Sequence, residues 1–239
     1  MVGIKHITAL FALLFLGNGF AQITEGKIVF ERKTNLLKKF DDARMAEMLK
    51  DTKIKVDEFE LYFNETKCAF KPIESSEADP LSWATTKNSV HQDLTTLERI
   101  SIMDLYGNKV YVKDSMSSKK WQITDSRRTI ANYECRKAIW QKDDSTRIYA
   151  WFSVDIVPSV GPEMFAGLPG AILGLATEDG GIIYFAKEVV PMNVSPDKFD
   201  YKLGKNEVYT VEKLRAELEA RFANQPWGKR AIIDLFRWF

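Results

Sequence analysis

Short apolar segments separated by turn residues dominate the sequence from residue 99 to residue 190, and this pattern most constrains the fold. The strand candidates, at a spacing of roughly ten residues, are Arg99–Leu105, Lys109–Lys113, Trp121–Thr124, Thr129–Trp140, Arg147–Ile156, Ala171–Thr177 and Ile182–Val190. Regular spacing of this kind is typical of an antiparallel sheet or partial barrel. The turn Glu178-Asp179-Gly180-Gly181 predicts a tight hairpin between the last two candidates, because consecutive glycines readily adopt positive φ.

The remaining segments add further strands and a few helices. Strand patterns cover Gly26–Glu31, Ile54–Phe63 and Lys67–Lys71. Asn35–Lys50 is expected to form a short amphipathic helix or an ordered excursion of the chain, and Thr210 caps a further helix that runs to about Asn224. The apolar tail Ala231–Phe239 is expected to be a core or docking segment. We therefore predict an α+β fold of mostly antiparallel β structure, in which a strongly curved sheet or half-barrel carries a few packing helices.

The first 21 residues have the pattern of a cleavable secretory signal peptide. Lys5 precedes an uninterrupted apolar stretch over Ile7–Leu16, and small residues follow up to Ala21. Cleavage after Ala21 leaves residues 22–239 as a single β-rich domain, exported to the periplasm or the cell surface. No later apolar segment is long enough to cross a bilayer, so we expect no transmembrane segment in the mature chain.

Charge and cysteine content bound the partners and the compartment. Lys5 is the only charged residue of the signal peptide, so the mature chain keeps 33 of the 34 basic residues beside 33 acidic residues. This balance gives no electrostatic attraction for nucleic acid. Two cysteines in an exported chain predict a structural disulfide between Cys68 and Cys135, which would stabilise the fold by about 4 kcal/mol.

Residues suited to catalysis or metal binding are scarce. Once His6 leaves with the signal peptide, His91 is the only histidine, which excludes a multi-histidine metal site. The sequence has neither a Gly-x-Ser-x-Gly nucleophile motif nor a glycine-rich phosphate loop. We therefore predict no catalytic residues, no metal and no cofactor.

Four sequence motifs carry a resemblance to a known family. Tyr133–Ala138, Ala150–Phe152, Gly161-Pro162 and Gly167–Ile172 occur in the order and spacing of the GLPGLI family of exported Bacteroidetes proteins, which residues 24–190 resemble. Ala171 stands where the motif that names the family has its second leucine. The resemblance implies export but no particular activity, because the family has no established biochemical function.

The motif loop itself is the candidate binding segment. Its residues are Gly161, Pro162, Gly167, Leu168, Pro169 and Gly170. Leu168-Pro169-Gly170 predicts a type II turn, and Gly174 in the following apolar strand predicts a bulge or a close approach of another group. The loop is either a buried turn that sets strand register or the lining of a groove or partner-docking edge.

The sequence leaves three functional hypotheses open. The leading one is non-enzymatic binding of an apolar ligand or a protein partner in the envelope. The alternatives are an envelope hydrolase that uses two facing carboxylates about 5–10 Å apart, and a protein-interaction module that offers an exposed sheet edge. The oligomeric state is open as well.

Overall fold

A computed structural model describes residues 22–40, 42–74, 78–105, 107–143, 146–204 and 206–239. The predicted signal peptide, residues 1–21, lies outside the described residues. Within this part of the chain, no helix is both long enough and apolar enough to cross a membrane.

The described residues form twelve strands and four α-helices, with short 3-10 turns at Ser82–Ala84 and Pro196–Phe199. The strands are β1 (Gly26–Asn35), β2 (Ile54–Phe63), β3 (Lys67–Pro72), β4 (Ser89–Asp93), β5 (Glu98–Leu105), β6 (Asn108–Ser115), β7 (Gln122–Ile130), β8 (Tyr133–Gln141), β9 (Arg147–Ser153), β10 (Ala171–Thr177), β11 (Ile182–Pro191) and β12 (Val208–Tyr209). The helices are α1 (Leu36–Lys39), α2 (Ala43–Met48), α3 (Val211–Phe222) and α4 (Gly228–Leu235).

All twelve strands belong to one sheet, in the order β12-β6-β5-β4-β3-β2-β1-β11-β10-β9-β8-β7. Every neighbouring pair is antiparallel except β12 and β6, so the predicted antiparallel β class is confirmed. The strongly curved sheet or half-barrel is not confirmed, because the sheet is open, with β12 at one edge and β7 at the other. Strands β1 and β11, the first and the eleventh along the chain, pair with each other at the centre of the sheet.

Several local predictions are confirmed by the strands. The β10–β11 hairpin forms, and Gly180 in its turn has φ +66°. Strand β10 is buried along its whole length, as its uninterrupted apolar run predicts. The pairing of β10 with β9 shifts register between Ile172 and Gly174, so the predicted bulge is present. At Gly174 an added Cβ would lie 2.9 Å from a methyl carbon of Ile130, which shows how closely another strand approaches.

One predicted strand is in fact a hairpin. The segment Thr129–Trp140 divides at Ala131 and Asn132, which adopt φ of +49° and +69° and form a two-residue turn between β7 and β8. Positive φ at both central residues is the geometry that joins strands of natural twist. The sequence offers Asn132 as a turn residue, but Ala131 carries no such signal.

Two helices cover the β5–β6 end of the sheet. Helix α3 begins after Thr210, whose hydroxyl accepts a hydrogen bond from the Lys213 amide at 3.2 Å, as a capping residue should. Part of the apolar tail forms helix α4 instead of a single extended segment. The tail is nevertheless a core segment, because Phe236 and Trp238 are both buried.

The predicted disulfide is wrong. Cys68 and Cys135 are both described, and each is a buried free thiol. They lie on β3 and β8, which are not neighbours in the sheet but six positions apart in the strand order.

Candidate functional site

The motif loop connects β9 to β10 and is folded into the core. Of the six residues predicted to bind, Gly161, Pro162, Leu168 and Gly170 are buried, while only Gly167 and Pro169 are exposed. The loop backbone is also hydrogen-bonded to β10, since the Ile172 amide donates to the Val160 carbonyl at 2.8 Å. The geometry thus agrees with the buried-turn interpretation for four of the six residues.

Glycine is required at one end of this loop by space as well as conformation. Gly170 has φ +134°, and an added Cβ would lie 2.0 Å from the carbonyl oxygen of Ser153. In a type II turn the Ala171 amide would donate a hydrogen bond to the Leu168 carbonyl. Here the Ala171 amide donates to the carbonyl of Ile156 at 3.0 Å. The Gly170 amide instead donates to the Leu168 carbonyl at 2.8 Å, so the turn is tighter than predicted.

A buried ionic network, missed by the sequence prediction, begins in the same loop. Glu163 follows Gly161-Pro162, has φ +55° and is 2% exposed. The Tyr184 hydroxyl donates a hydrogen bond to its Oε1, and Nη1 of Arg32 lies 3.7 Å from that oxygen. The other terminal nitrogen of Arg32 donates to Oδ2 of Asp57 at 2.7 Å. One guanidinium therefore ties the motif loop to β1 and β2.

The charges of this network are set by burial and by the arginine. Burial raises the pKa of Glu163, and it also raises the pKa of Tyr184. Burial alone would raise the pKa of Asp57, but the charge of Arg32 and its hydrogen bond outweigh this effect and lower it. Among the described residues, Oε2 of Glu163 and Nε of Arg32 have no hydrogen-bond partner.

Three lysine and threonine side chains complete the surroundings of Asp57. Thr85 donates a hydrogen bond to Oδ2 at 2.8 Å, and the ammonium groups of Lys55 and Lys87 lie 3.4 and 3.6 Å from Oδ1. The Asp57 side chain is only 1% exposed. Asp57 and Glu163 are thus two carboxylates on one arginine, and both are sealed from solvent.

An apolar groove lies between the α1–α2 segment and the C-terminal helices, with a volume of about 640 Å³. Aromatic pairs stand on its two walls: the rings of Phe40 and Trp83 are 5.6 Å apart, and those of Phe222 and Trp227 are 5.5 Å apart. Its lining residues are Lys39, Phe40, Asp42, Met45, Trp83, Thr86, Asp104, Leu105, Leu218, Phe222, Pro226, Trp227, Gly228, Arg230, Ala231, Ile232, Asp234 and Leu235. A concavity of this size and lining is typical of small-molecule sites.

A smaller basic cavity, of about 50 Å³, lies next to this groove. The two share Lys39, Thr86 and Asp234 as lining residues. The basic cavity is lined by Arg32, Thr34, Asn35, Lys38, Lys39, Thr85, Thr86, Asp179, Gly181, Ile182, Asp234, Arg237 and Trp238. It therefore lies between the buried ionic network and the apolar groove.

A third cavity, of about 430 Å³, contains both His91 and Cys68 in its lining. The strand register pairs Cys68 with Gln92 and His91 with Ala69, so the two side chains project from opposite faces of the sheet. Burial lowers the pKa of His91 to about 4 and raises that of the Cys68 thiol to about 12. The two residues do not form a nucleophile–base pair.

With the geometry established, comparisons with known proteins identify a short family match and a shared fold. The family described as "Protein of unknown function (Porph_ging)" matches residues 140–174. This is a match to a Bacteroidetes-associated family over a short region, and it does not confirm the GLPGLI name. No curated protein sequence matches the chain.

Two solved structures of PNGF-II share the fold. The structure in space group C2 has a TM-score of 0.55 and 16% identity, and covers 81% of this chain and 32% of the PNGF-II chain. The structure in space group P21 has a TM-score of 0.56 and 14% identity, and covers 83% of this chain and 34% of the other. This chain thus spans about a third of PNGF-II, and at such identities the likeness shows the fold alone.

The family match falls on one structural unit. Residues 140–174 run from the end of β8 through β9 and the motif loop into β10, and they include Glu163. None of the residues that line the apolar groove or the basic cavity lies in this segment. The matched segment therefore contributes to the core of the sheet and to the ionic network, and the concavities are built by other parts of the chain.

Proposed function

We propose that this protein is an exported, non-enzymatic binding protein whose apolar groove holds a small apolar ligand. The observation that carries the proposal is the groove of about 640 Å³ between α1–α2 and α3–α4, with an aromatic pair on each wall. Trp83 and Trp227 are 52% and 47% exposed, so a bound apolar molecule would remove aromatic surface from water.

The size of the groove favours a small ligand over a protein segment. The groove adjoins the basic cavity, which has a volume of only about 50 Å³. The groove volume of about 640 Å³ lies within the roughly 300–1,000 Å³ that is usual for small-molecule sites. Export of the ligand-binding chain to the periplasm or cell surface is part of the proposal and rests on the signal-peptide pattern of residues 1–21.

The two alternatives have less support. The carboxylates of Asp57 and Glu163 share Arg32, but both are buried, and a glycan could not reach them. Strand β7 at one edge of the sheet is interrupted by an irregularity between Ile123 and Arg127, and β12 at the other edge has only two residues. Short or irregular edges discourage the addition of a partner strand.

The test is to fill the groove and measure the binding of a neutral apolar probe. Ala231 lines the groove and is exposed on α4, so Ala231→Trp should occupy the site without disturbing the core. Ala220→Trp, on the exposed side of α3 and outside the groove lining, is the matched control. We expect N-phenyl-1-naphthylamine to bind the wild type and the Ala220→Trp variant, and to bind Ala231→Trp at least tenfold more weakly.

Equal binding by the wild type and both variants would refute the groove as the site, and absence of binding to the wild type would refute the proposal. Export is tested separately. The mature protein recovered from the cell envelope should begin at Gln22, and intact mass measurement would reveal a retained signal peptide.

A further inference from the structure

We propose that the natural ligand is an amphiphilic anion, with its apolar body in the apolar groove and a carboxylate in the basic cavity. This inference rests on the proposed function and names the ligand class. It starts from the contiguity of the two concavities, which share Lys39, Thr86 and Asp234. A molecule in the groove would therefore have one end at the mouth of the basic cavity.

The lining charge of the basic cavity favours an anion. Four cationic side chains line it, namely Arg32, Lys38, Lys39 and Arg237, against the carboxylates of Asp179 and Asp234. Asp234 is already engaged by Arg237, whose Nη2 donates a hydrogen bond to it, and Nζ of Lys39 lies 3.9 Å from it. Arg32 is already paired with Asp57 and Glu163, so the other three lining cations face two carboxylates, and an anionic group would compensate this excess of one positive charge.

Arg32, one of the residues that line the cavity, also has an unsatisfied donor. Arg32 is 4% exposed, and its Nε–H has no acceptor among the described residues, although the terminal nitrogens contact Asp57 and Glu163. A buried donor without a partner is costly, and bound anions or water are the usual explanation. The ligand's carboxylate would supply an acceptor here.

The lowered pKa of Lys39 also favours an anion in this cavity. Burial lowers its pKa, and the positive charges of Arg32, Arg237 and Arg230 lower it further, against the opposing charge of Asp234. Lys39 is therefore a buried cation with three arginines near it and one carboxylate opposing them. A bound carboxylate would favour the charged form of Lys39.

The volume of the basic cavity favours a carboxylate over a larger head group. About 50 Å³ accommodates roughly three to five groups of the size of a water molecule, at about 10–15 Å³ each. The three heavy atoms of a carboxylate fit well within this range, whereas a phosphate ester, with at least five, reaches its upper limit. The ligand class that fits both concavities is therefore a long-chain carboxylic acid.

The experiment compares the displacement of N-phenyl-1-naphthylamine from the full-length mature protein by dodecanoate, 1-dodecanol and acetate. The two twelve-carbon molecules differ only in the head group. We expect dodecanoate to displace the probe at a concentration at least tenfold lower than dodecanol, and acetate not to displace it. A tenfold difference is the size of one charge-assisted hydrogen bond at a partly exposed site.

Variants then assign the preference to the basic cavity. Lys38→Gln and Arg237→Gln each remove a cation that lines this cavity but not the groove, and each should reduce the preference for dodecanoate about tenfold while dodecanol binds as before. Lys229→Gln removes an exposed lysine of α4 outside both linings and should leave the preference unchanged. Thermal unfolding of each variant verifies that it is folded.

Each outcome separates this inference from the proposed function. Equal displacement by acid and alcohol, with the probe still bound to the wild type, overturns the anion inference and leaves the apolar site standing. Acetate binding as tight as that of dodecanoate would mean a free-anion site without a role for the groove. If Lys229→Gln also lost the preference for dodecanoate over dodecanol, that preference would come from general surface charge, and the anion inference would be overturned. If the probe failed to bind the wild type, both proposals would be overturned.

Discussion

Replacing Arg32 by methionine would remove the cation that joins Asp57 to Glu163. Because the Asp57 side chain is 1% exposed, loss of its partner leaves a buried charge poorly compensated. Removing one member of a buried ion pair costs about 3–5 kcal/mol. The ammonium of Lys55 remains 3.4 Å from Asp57, which argues for the lower part of this range.

A second contribution comes from the aromatic neighbour. The guanidinium carbon of Arg32 lies 4.8 Å from the ring centroid of Phe59, and a desolvated cation–π contact is worth about 1–2 kcal/mol. We therefore expect Arg32→Met to lower the free energy of unfolding by about 4 kcal/mol, a large share of the 5–15 kcal/mol typical of a folded domain.

Urea denaturation followed by tryptophan fluorescence measures this loss, provided that the m-value is unchanged. Arg127→Met is the matched control, because Arg127 pairs with Glu134 on the surface, where both side chains are more than half exposed. The control should lose less than about 1 kcal/mol. A loss below about 1 kcal/mol for Arg32→Met as well would refute the view that the ionic network holds the motif loop to the sheet.

Three further predictions concern the loop, the network and the thiols. Gly170→Ala should cost about 3–5 kcal/mol, because strain at positive φ adds to overlap with a carbonyl oxygen 2.0 Å away, whereas Gly180→Ala, at φ +66° with open space around it, should cost about 1–2 kcal/mol in the same urea assay. Burial raises the pKa of Glu163 above its unfolded value, so its contribution to stability is present below about pH 4 and is lost as pH rises through the folded pKa; because the lowered pKa of His91 has the opposite effect over this range, the measurement is the difference in unfolding free energy between the wild type and Glu163→Gln, which should fall from pH 4 to 8. Because burial raises the pKa of the Cys68 and Cys135 thiols to about 12, neither should react with iodoacetamide in the native protein at pH 8, and a reductant should leave the melting temperature unchanged.

The strands predicted correctly from sequence are those whose signal is local. Ile54–Phe63 and Ala171–Thr177 are bounded by turn residues and have the expected length, and the structure gives them the same bounds. Strand β4 was missed because its residues, Ser89–Asp93, are mostly polar, and their burial comes from the chain segments packed on the sheet. The turn at Ala131 was missed because alanine has no intrinsic preference for positive φ, so the hairpin imposes it.

The candidate site was harder to predict for the same reason. A glutamate after Gly161-Pro162 has the appearance of a surface turn, and only the distant Arg32 and Tyr184 explain why Glu163 is buried. The apolar groove brings residues 39–45 together with residues 218–235, and no pattern along the chain indicates that these segments meet. The disulfide prediction failed because cysteine number and compartment carry no information on strand order.

The division between the matched segment and the concavities limits what the family match can say about function. Residues 140–174 supply β9, the motif loop and half of β10, and the constraints found there are those of packing: no room for a Cβ at Gly170 and a buried carboxylate at Glu163. Such constraints preserve a fold and leave the ligand unspecified. The groove and the basic cavity are formed by β1, the α1–α2 segment, the β10–β11 turn and the C-terminal helices, all outside that segment. Proteins that share only residues 140–174 with this chain should therefore share the packing of β9, the motif loop and the start of β10, while the chemistry of their ligands must be determined from the residues at these other positions.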